Sequence, residues 1–335
     1  MNRRLTIALS VAATVGITGG IGTALSLGGP DGTPVADPVE AAAPLWATAE
    51  ELHDGNVVVP LEGVDFVTGI ERVGDSWILQ DVPDGAAASP RVLRVDRDGT
   101  VTPLADVHGH GDIDASGTHH VGLSADDQSY VVTDLRTGKR TRVPPPPDPG
   151  PPEGTALFDG DDVITGWSPV GTTYYRSALD GTGLRIVGRD PVDAQFAPDR
   201  ERYVGVRTGL GDQCLYGGAA DEEATLWKQC PGALPSAPAY APDSTRFVAY
   251  ASGEGGGGTG RAVVRDATTG KAVADFDLPG DVTLDMTMVS ADAVAVLTVT
   301  GPTGAETTTV YTCELSGRCD KSGTASGIGV LGGSP

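Results

Sequence analysis

The stretch from Pro238 to Lys271, PAYAPDSTRFVAYASGEGGGGTGRAVVRDATTGK, contains the elements that decide the fold class. A turn at Pro242 and Asp243 is followed by the apolar run Arg246–Tyr250, and a second apolar run leads into the turn Asp266–Gly270. Proline ends a strand because it removes a ladder donor, and aspartate caps the following turn through its backbone. Short β-branched and aromatic runs bounded by Gly, Asp and Pro are typical of strands. This stretch therefore predicts a unit of antiparallel strands.

Similar runs recur along the chain, and no sustained 3.6-residue apolar period appears among them. One series of turn residues lies beside a hydrophobic strand, with steps of 43, 43, 39, 44 and 49 residues: Gly74, Gly117, Gly160, Asp199, Asp243 and Asp292. A second series marks a later hairpin, with steps of 39, 43, 89 and 47 residues: Gly99, Gly138, Gly181, Gly270 and Gly317. The step of 89 equals two periods with one turn missing. A period of about 40–50 residues with four strands per repeat is typical of a β-propeller.

The two series agree on six units and predict an all-β, six-bladed β-propeller over residues 55–335. Seven blades are the alternative, in which Asn56–Val59 and part of the preceding segment form an extra unit. The inner strands are expected just before the residues of the first series.

The best-preserved units resemble TolB-like and WD-type propeller repeats. In those repeats an aromatic–Ser–Pro–Asp–Gly turn follows the innermost strand, and a Thr-Gly-Lys turn joins the two outer strands. Tyr240–Asp243 and Thr269–Lys271 match these turns, and Phe196–Asp199 is a second copy of the first. The turn glycine is replaced by Ser244 and Arg200, and no Trp-Asp dipeptide closes a unit. The resemblance implies an exported bacterial propeller and says almost nothing about activity.

The N-terminus indicates export. Arg3 and Arg4 precede an uncharged stretch, Leu5–Leu27, which is long enough to span a bilayer but is interrupted by glycines. Residues 1–27 are therefore expected to be either a cleaved signal peptide or a retained single membrane anchor. Residues 28–54, rich in Gly, Pro and Ala, are expected to be a flexible linker, with two helical turns over Leu45–Leu52. Either reading makes the protein extracytoplasmic, secreted or anchored to the cell membrane.

The four cysteines agree with an exported chain. Cys214 and Cys230 form one short-range pair in the sequence, and Cys313 and Cys319 form the other. Neither pair has the C-x-x-C spacing of a zinc knuckle. An even number of cysteines in an exported protein predicts disulfides, with each short-range pair bonded.

Charge limits the partners. The chain has 23 Lys and Arg against 45 Asp and Glu, a net charge of −22. A nucleic-acid partner is disfavoured because phosphate binding needs a basic footprint. An acidic rim favours cationic or neutral proteins or an envelope component. Trp167, Tyr174 and Tyr175 in the third unit are the candidate partner contacts, and the alternative is that they pack between blades.

The histidines are unevenly distributed, since four of the five lie between residues 108 and 120. In the repeat register this segment leads into the inner strand of the second unit. No metal is predicted there, and the weak candidates for a metal or anion site at the channel mouth are His108, His110, Asp112 and Asp114. The plainer reading is a loop between blades whose polar residues line a wet channel.

No motif for nucleophilic, phosphate-binding or zinc-protease chemistry is present in the sequence. The sequence therefore predicts a monomeric, non-catalytic propeller that needs no cofactor and binds a protein or cell-envelope partner. One alternative is a lactonase- or glycosidase-type propeller enzyme with its site in the channel. A second is a membrane-anchored structural spacer.

Overall fold

The structure, a computed structural model, describes residues 43–332 with nine segments left out: 84–89, 108–110, 125–127, 169–171, 190–191, 209–212, 221–224, 252–259 and 280–282. The expected signal peptide or anchor, 1–27, and the first part of the expected linker lie outside the described residues. Within the described part, no helix has the length and apolarity needed to cross a bilayer.

Seven antiparallel sheets account for the strands of the described residues. Blade 1 contains β4 (Val67–Val73), β5 (Ser76–Asp81), β6 (Arg91–Val95) and β7 (Val101–Asp106). Blade 2 contains β8 (Gly111–Ile113), β9 (His119–Leu123), β10 (Tyr130–Asp134) and β11 (Arg140–Arg142). Blade 3 contains β12 (Pro152–Asp159), β13 (Asp162–Trp167), β14 (Thr173–Ala178) and β15 (Arg185–Arg189). Blade 4 contains β16 (Val192–Phe196), β17 (Arg202–Thr208), β18 (Gln213–Ala219) and β19 (Thr225–Gln229).

The remaining sheets complete the ring. Blade 5 contains β20 (Arg246–Tyr250), β21 (Arg261–Asp266) and β22 (Ala272–Asp277). Blade 6 contains β23 (Thr283–Ser290), β24 (Ala293–Thr300), β25 (Thr307–Glu314) and β26 (Cys319–Ser326). Blade 7 contains β27 (Val330–Leu331), β1 (Leu45–Ala47), β2 (Glu51–Asp54) and β3 (Val57–Pro60), in that order across the sheet.

The propeller prediction is confirmed, but the preferred number of blades is one too low. The seventh blade, which was the alternative, is built from both ends of the described chain. β27 pairs with β1 through Trp46–Leu331 and Ala47–Val330, so the C-terminal strand joins three N-terminal strands. The helical turns expected over Leu45–Leu52 are wrong: this segment forms β1 and the start of β2, and the expected linker therefore stops before Leu45.

First strands of neighbouring blades contact one another around the centre. β8 contacts β12, β12 contacts β16, β23 contacts β27, and β27 contacts β4. These strands therefore surround the central channel, and the three later strands of each blade lie progressively farther out.

The turn after the first strand, or after the segment in its place, contains a residue with positive φ in blades 1 to 5. Gly74, Gly117 and Gly160 follow the first strands of blades 1 to 3 with φ between 59° and 66°. Arg200 and Ser244 occupy the equivalent place in blades 4 and 5 with φ of 59° and 61°. The left-handed region suits glycine, so these two side chains hold a conformation that L-residues rarely adopt.

Hydrophobic packing follows the ring. Seven buried apolar clusters occur in the described residues, and each lies between two neighbouring blades. Successive side chains of a strand point to opposite faces of its sheet. Thus Val163 packs toward blade 2, whereas the next residue, Ile164, packs toward blade 4.

Candidate functional site

Three charged residues from three blades meet in the channel. Glu71 lies on β4, Asp112 lies on β8, and Arg200 lies in the turn after β16. The two acids are buried, with exposures of 6% and 1%. Arg200 Nη2 lies 4.0 Å from Asp112 Oδ2, so blade 4 reaches blade 2 across the channel.

Asp112 binds the neighbouring blade through its carboxylate. Its Oδ2 accepts a 2.7 Å hydrogen bond from the backbone amide of Phe158 on β12. Its Oδ1 is buried and has no hydrogen-bond partner among the described residues. Burial raises the pKa of Asp112 to about 7, although Arg200 and the Phe158 amide act in the opposite direction.

Glu71 interacts electrostatically with Asp112 and Arg200. Burial raises the pKa of Glu71 well above its usual range, and the negative charge of Asp112 raises it further. Arg200 partly opposes both effects. Two buried carboxyl groups thus share one guanidinium, and the pair retains a proton at a pH where exposed acids have lost theirs.

Asp114, two residues farther along, organises the turn after β8. Its carboxylate accepts hydrogen bonds from the amides of Thr118 (2.6 Å) and His119 (2.9 Å) and from the hydroxyl of Ser116 (2.7 Å). The His119 ring lies 3.1 Å from Asp114 Oδ2. Partial burial alone would raise the pKa of Asp114, but these hydrogen bonds outweigh it and hold the pKa below its usual value.

A second ion pair lies beside the cluster on blade 3. Arg176 Nη2 lies 2.5 Å from Asp159 Oδ2, and the same nitrogen is 3.4 Å from the Arg200 carbonyl oxygen. Arg176 therefore connects the inner strand of blade 3 to the turn that carries Arg200.

Asp285, on the inner strand of blade 6, supports blade 5. Both of its oxygens lie within hydrogen-bond distance of the Ala237 amide, at 3.0 and 2.9 Å. From the other side, Gln195 donates to the Pro235 carbonyl and accepts from the Ala239 amide. Blade 5 has three regular strands in the described chain, and these side chains fix the segment that replaces its first strand. Burial raises the pKa of Asp285 to about 7.

Only two of the four weak candidates for a metal site lie in the described residues. His108 and His110 lie outside the described residues. Asp112 and Asp114 are described, but no group of three or more His, Cys, Asp or Glu side chains in the described part is placed to hold a metal ion.

Both predicted cysteine pairs are bonded in the structure. Cys214 and Cys230 have a Cα–Cα distance of 4.5 Å, and Cys313 and Cys319 have one of 4.0 Å. Each bridge joins the third and fourth strands of one blade, blade 4 for the first and blade 6 for the second. Disulfides persist in oxidising compartments, so the pairs agree with an extracytoplasmic location.

The expected contact aromatics on blade 3 need a correction. Trp167 and Tyr174 are buried, with exposures of 1% and 0%. Trp167 donates its indole N–H to Thr165, and the Tyr174 hydroxyl accepts a hydrogen bond from the Ala194 amide of blade 4. Both rings pack between blades and have no surface for a partner. Tyr175 is half-buried and packs against the cluster between blades 2 and 3.

Glu71 and Arg200 were not among the site residues predicted from the sequence. The signal for Arg200 was present, because it stands where the repeat has its turn glycine, and a non-glycine residue kept in a strained conformation indicates a specific role. Glu71 had no such signal, since one acid in an apolar strand is a weak pattern.

The cluster can bind and release a proton near neutral pH, as an acid with a pKa of about 7 does. Its acids are nevertheless enclosed, and one oxygen of Asp112 is already committed to the Phe158 amide. This geometry therefore suits a structural role, in which the acids join neighbouring blades, better than reaction with a substrate.

Comparison with known proteins finds similarity at the level of the fold only. No family model and no curated protein matches the chain. Among solved structures, an oligogalacturonate lyase from Vibrio parahaemolyticus is similar with a TM-score of 0.51 and 13% identity, over 77% of this chain and 88% of that chain.

Two further structures are similar at lower scores. A putative TolB from Agrobacterium tumefaciens has a TM-score of 0.43 and 14% identity, over 62% of this chain and 88% of that chain. The Swd1 β-propeller domain of Myceliophteria thermophila has a TM-score of 0.49 and 9% identity, over 76% and 93%. The propeller fold that the resemblance to TolB-like repeats implied is confirmed by the seven sheets of the chain itself and by the similarity to the oligogalacturonate lyase. At these identities the likeness shows the fold alone, and this chain is a seven-bladed β-propeller.

Proposed function

We propose that this chain is a non-catalytic, extracytoplasmic propeller that binds a protein or cell-envelope partner on its outer surface. The proposal rests on one observation, the structural role of the buried acids in the channel. Asp112 and Asp285 each hold the backbone of a neighbouring blade, as described above. These carboxylates join neighbouring blades, which leaves recognition to the rigid exterior.

Location supports the same function. The two disulfides suit an oxidising compartment. Residues 1–27, acting as a signal peptide or as a single anchor, would deliver the propeller there as a monomer. A ring of packed blades loses little conformational entropy when it binds a partner, which favours recognition by a preformed surface.

A second candidate function rests on the Glu71–Asp112 pair. Two buried acids with raised pKa values beside Arg200 are an arrangement that enzymes also use. This candidate is a channel enzyme of the lactonase or glycosidase type. The similarity in fold to an oligogalacturonate lyase adds uronate oligosaccharides to the substrates worth testing.

One experiment separates the two functions. The exported full-length protein, wild type and Glu71→Gln with Asp112→Asn, is cross-linked in envelope extract and also assayed on lactones, glycosides and uronate oligosaccharides. We expect both proteins to capture the same cross-linked partner, and we expect no turnover above a heat-inactivated control. Turnover by the wild type that the double variant lacks would replace the binding proposal with the enzyme. Absence of any specific cross-linked partner would also contradict it.

A further inference from the structure

The outer part of blade 4 carries two cations around one aromatic ring. The Tyr216 ring on β18 has the Lys228 ammonium 5.3 Å from its centroid and the Arg207 guanidinium carbon 5.9 Å from it. Tyr216 pairs directly with Lys228 of β19, and Arg207 lies two residues beyond its other partner, Gly205, on β17. The three side chains therefore share one face of the sheet.

An exposed apolar side chain lies next to these residues in the chain. Leu226 precedes Lys228 by two residues on β19, at the β-bulge where the pairing register with β18 shifts. It is 51% exposed, one of the most exposed large hydrophobic side chains in the described residues. We call Arg207, Tyr216, Leu226 and Lys228 the blade 4 patch.

The cations of the patch lie in an acidic protein in which several half-buried arginines are paired with carboxylates. Arg202 lies 3.2 Å from Asp199, and Arg246 lies 2.6 Å from Asp292. Neither Arg207 nor Lys228 forms an ion pair with a carboxylate of the described chain. Among the described residues, two like charges thus surround one ring without a counter-charge, although acids exceed bases by 22 in the sequence.

The patch is also held rigid. Cys214 lies two residues before Tyr216, and Cys230 lies two residues after Lys228, and the disulfide between them joins the two strands. Trp227, on the opposite face of β19, stacks on Phe247 of blade 5 with the ring centroids 5.6 Å apart. A fixed patch loses little entropy on association.

We propose that the blade 4 patch docks an acidic segment of a protein partner, in which carboxylates lie between Arg207 and Lys228 and an apolar residue covers Leu226 and Tyr216. This proposal rests on the binding function proposed above and names its surface. Tyr and Arg are enriched at the centres of protein interfaces.

A short acidic segment fits better than a long anionic polymer. At physiological ionic strength a charge acts over about 8 Å, so a short segment feels mainly the two local cations. A polyanion that runs beyond the patch meets the acidic remainder of a protein with a net charge of −22. The exposed Leu226 also requires an apolar complement, which a peptide supplies and a uronate chain lacks.

The test is a selection with a matched control. A displayed library of random twelve-residue peptides is selected on the full-length wild-type protein and counter-selected on Arg207→Ala with Lys228→Ala. We expect the enriched peptides to combine acidic and apolar residues. The Kd of one enriched peptide should rise at least tenfold in the double variant. It should change less than twofold in Arg136→Ala with Lys139→Ala, which removes the same charge from the exposed outer hairpin of blade 2.

Four results would overturn the proposal. Enriched peptides without acidic residues, or an equal loss of affinity in both double variants, would show that the patch does not select carboxylates. Tighter binding of a polyuronate oligosaccharide than of any enriched peptide, lost in Arg207→Ala with Lys228→Ala, would replace the protein partner with a glycan. Equal melting temperatures of the variants verify the fold. If cross-linked capture of an envelope partner persists without the patch, this inference fails and the binding function stands.

Discussion

At position 200 the turn between β16 and β17 requires a left-handed residue, and the chain places an arginine there. A residue other than glycine in this region costs on the order of 1–3 kcal/mol. The same backbone geometry sends the guanidinium into the channel, toward Asp112 and Glu71. Ser244 has the same left-handed conformation in blade 5, and its hydroxyl accepts a hydrogen bond from the Asp199 amide. Each strained side chain is therefore offset by a contact with another element.

We expect Arg200→Gly to change stability in opposite directions at two pH values. The folded pKa of Asp112, about 7, is above its ordinary value of 3.8, so the folded protein keeps a proton that the unfolded chain has lost. Stability therefore falls as pH rises from about 4 to 7, and Arg200 reduces this fall. The variant should melt at or above the wild-type temperature at pH 5 and below it at pH 8, by calorimetry.

Ser244→Gly is the control for that experiment. It relieves the same left-handed conformation and removes no charge, so its shift in melting temperature should be equal at pH 5 and pH 8. A pH-independent shift for Arg200→Gly as well would mean that Arg200 does not stabilise the ionised acids.

The two disulfides close loops of different length in the outer hairpins of blades 4 and 6. Cys214–Cys230 joins the outer hairpin of blade 4 across 16 residues, and Cys313–Cys319 joins that of blade 6 across 6. In both blades the bonded residues face each other at one end of the hairpin. In blade 4 the turn without a glycine of the second series lies between the two cysteines in the sequence, and the bridge joins the open end of that hairpin, beyond the Leu215–Gln229 pair.

Removing each bridge should lower the free energy of unfolding by an amount that follows loop length. On the chain-entropy account we expect a loss of about 3 kcal/mol for Cys214→Ala with Cys230→Ala and about 2 kcal/mol for Cys313→Ala with Cys319→Ala. Urea unfolding measures both. Free thiols in the exported wild-type protein, detected without reductant, would show that the bonds do not form.

The strands show how much of the fold can be predicted from the sequence. Strand existence was predictable because each strand is short, β-branched and bounded by turn residues, and the turn glycines have positive φ in the structure. β1 was missed because Leu45–Ala47 is only three residues long and follows a Gly-, Pro- and Ala-rich segment. The contacts of Glu71 with blades 2 and 4 are long-range, and a single sequence contains no pattern for them.

For the whole molecule, the ring is closed by very few residues. β27 has two residues, and beyond its pairing with β1 the Gly332 amide donates a 2.9 Å hydrogen bond to the Leu45 carbonyl. Leu331 is buried in the cluster between blades 6 and 7 together with Trp46. The blade count was predicted one too low for this reason, since the seventh blade exists only when distant ends of the chain meet.

A chain that ends at Gly327 should fold incompletely. Without β27, blade 7 loses its first strand and the apolar clusters on either side of it are exposed. We expect a fall in melting temperature on the order of 10 °C, with new protease cleavage among β1 to β3. Adding a peptide of residues 327–335 should restore part of the stability.

Removal of residues 333–335 alone is the matched control, and it should leave melting and proteolysis unchanged. Equal stability of the two truncated proteins would show that β27 contributes nothing to closure.

Because β1 and β27 are neighbours, the chain enters and leaves the ring at one blade. A tether attached before Leu45 would hold the propeller at blade 7, through the strand next to the innermost one. In a seven-membered ring, blades 3 and 4 lie on the side opposite to blade 7. The blade 4 patch, on outer strands of that opposite side, would then lie across the channel from the tether, where a partner can reach it without meeting the tether.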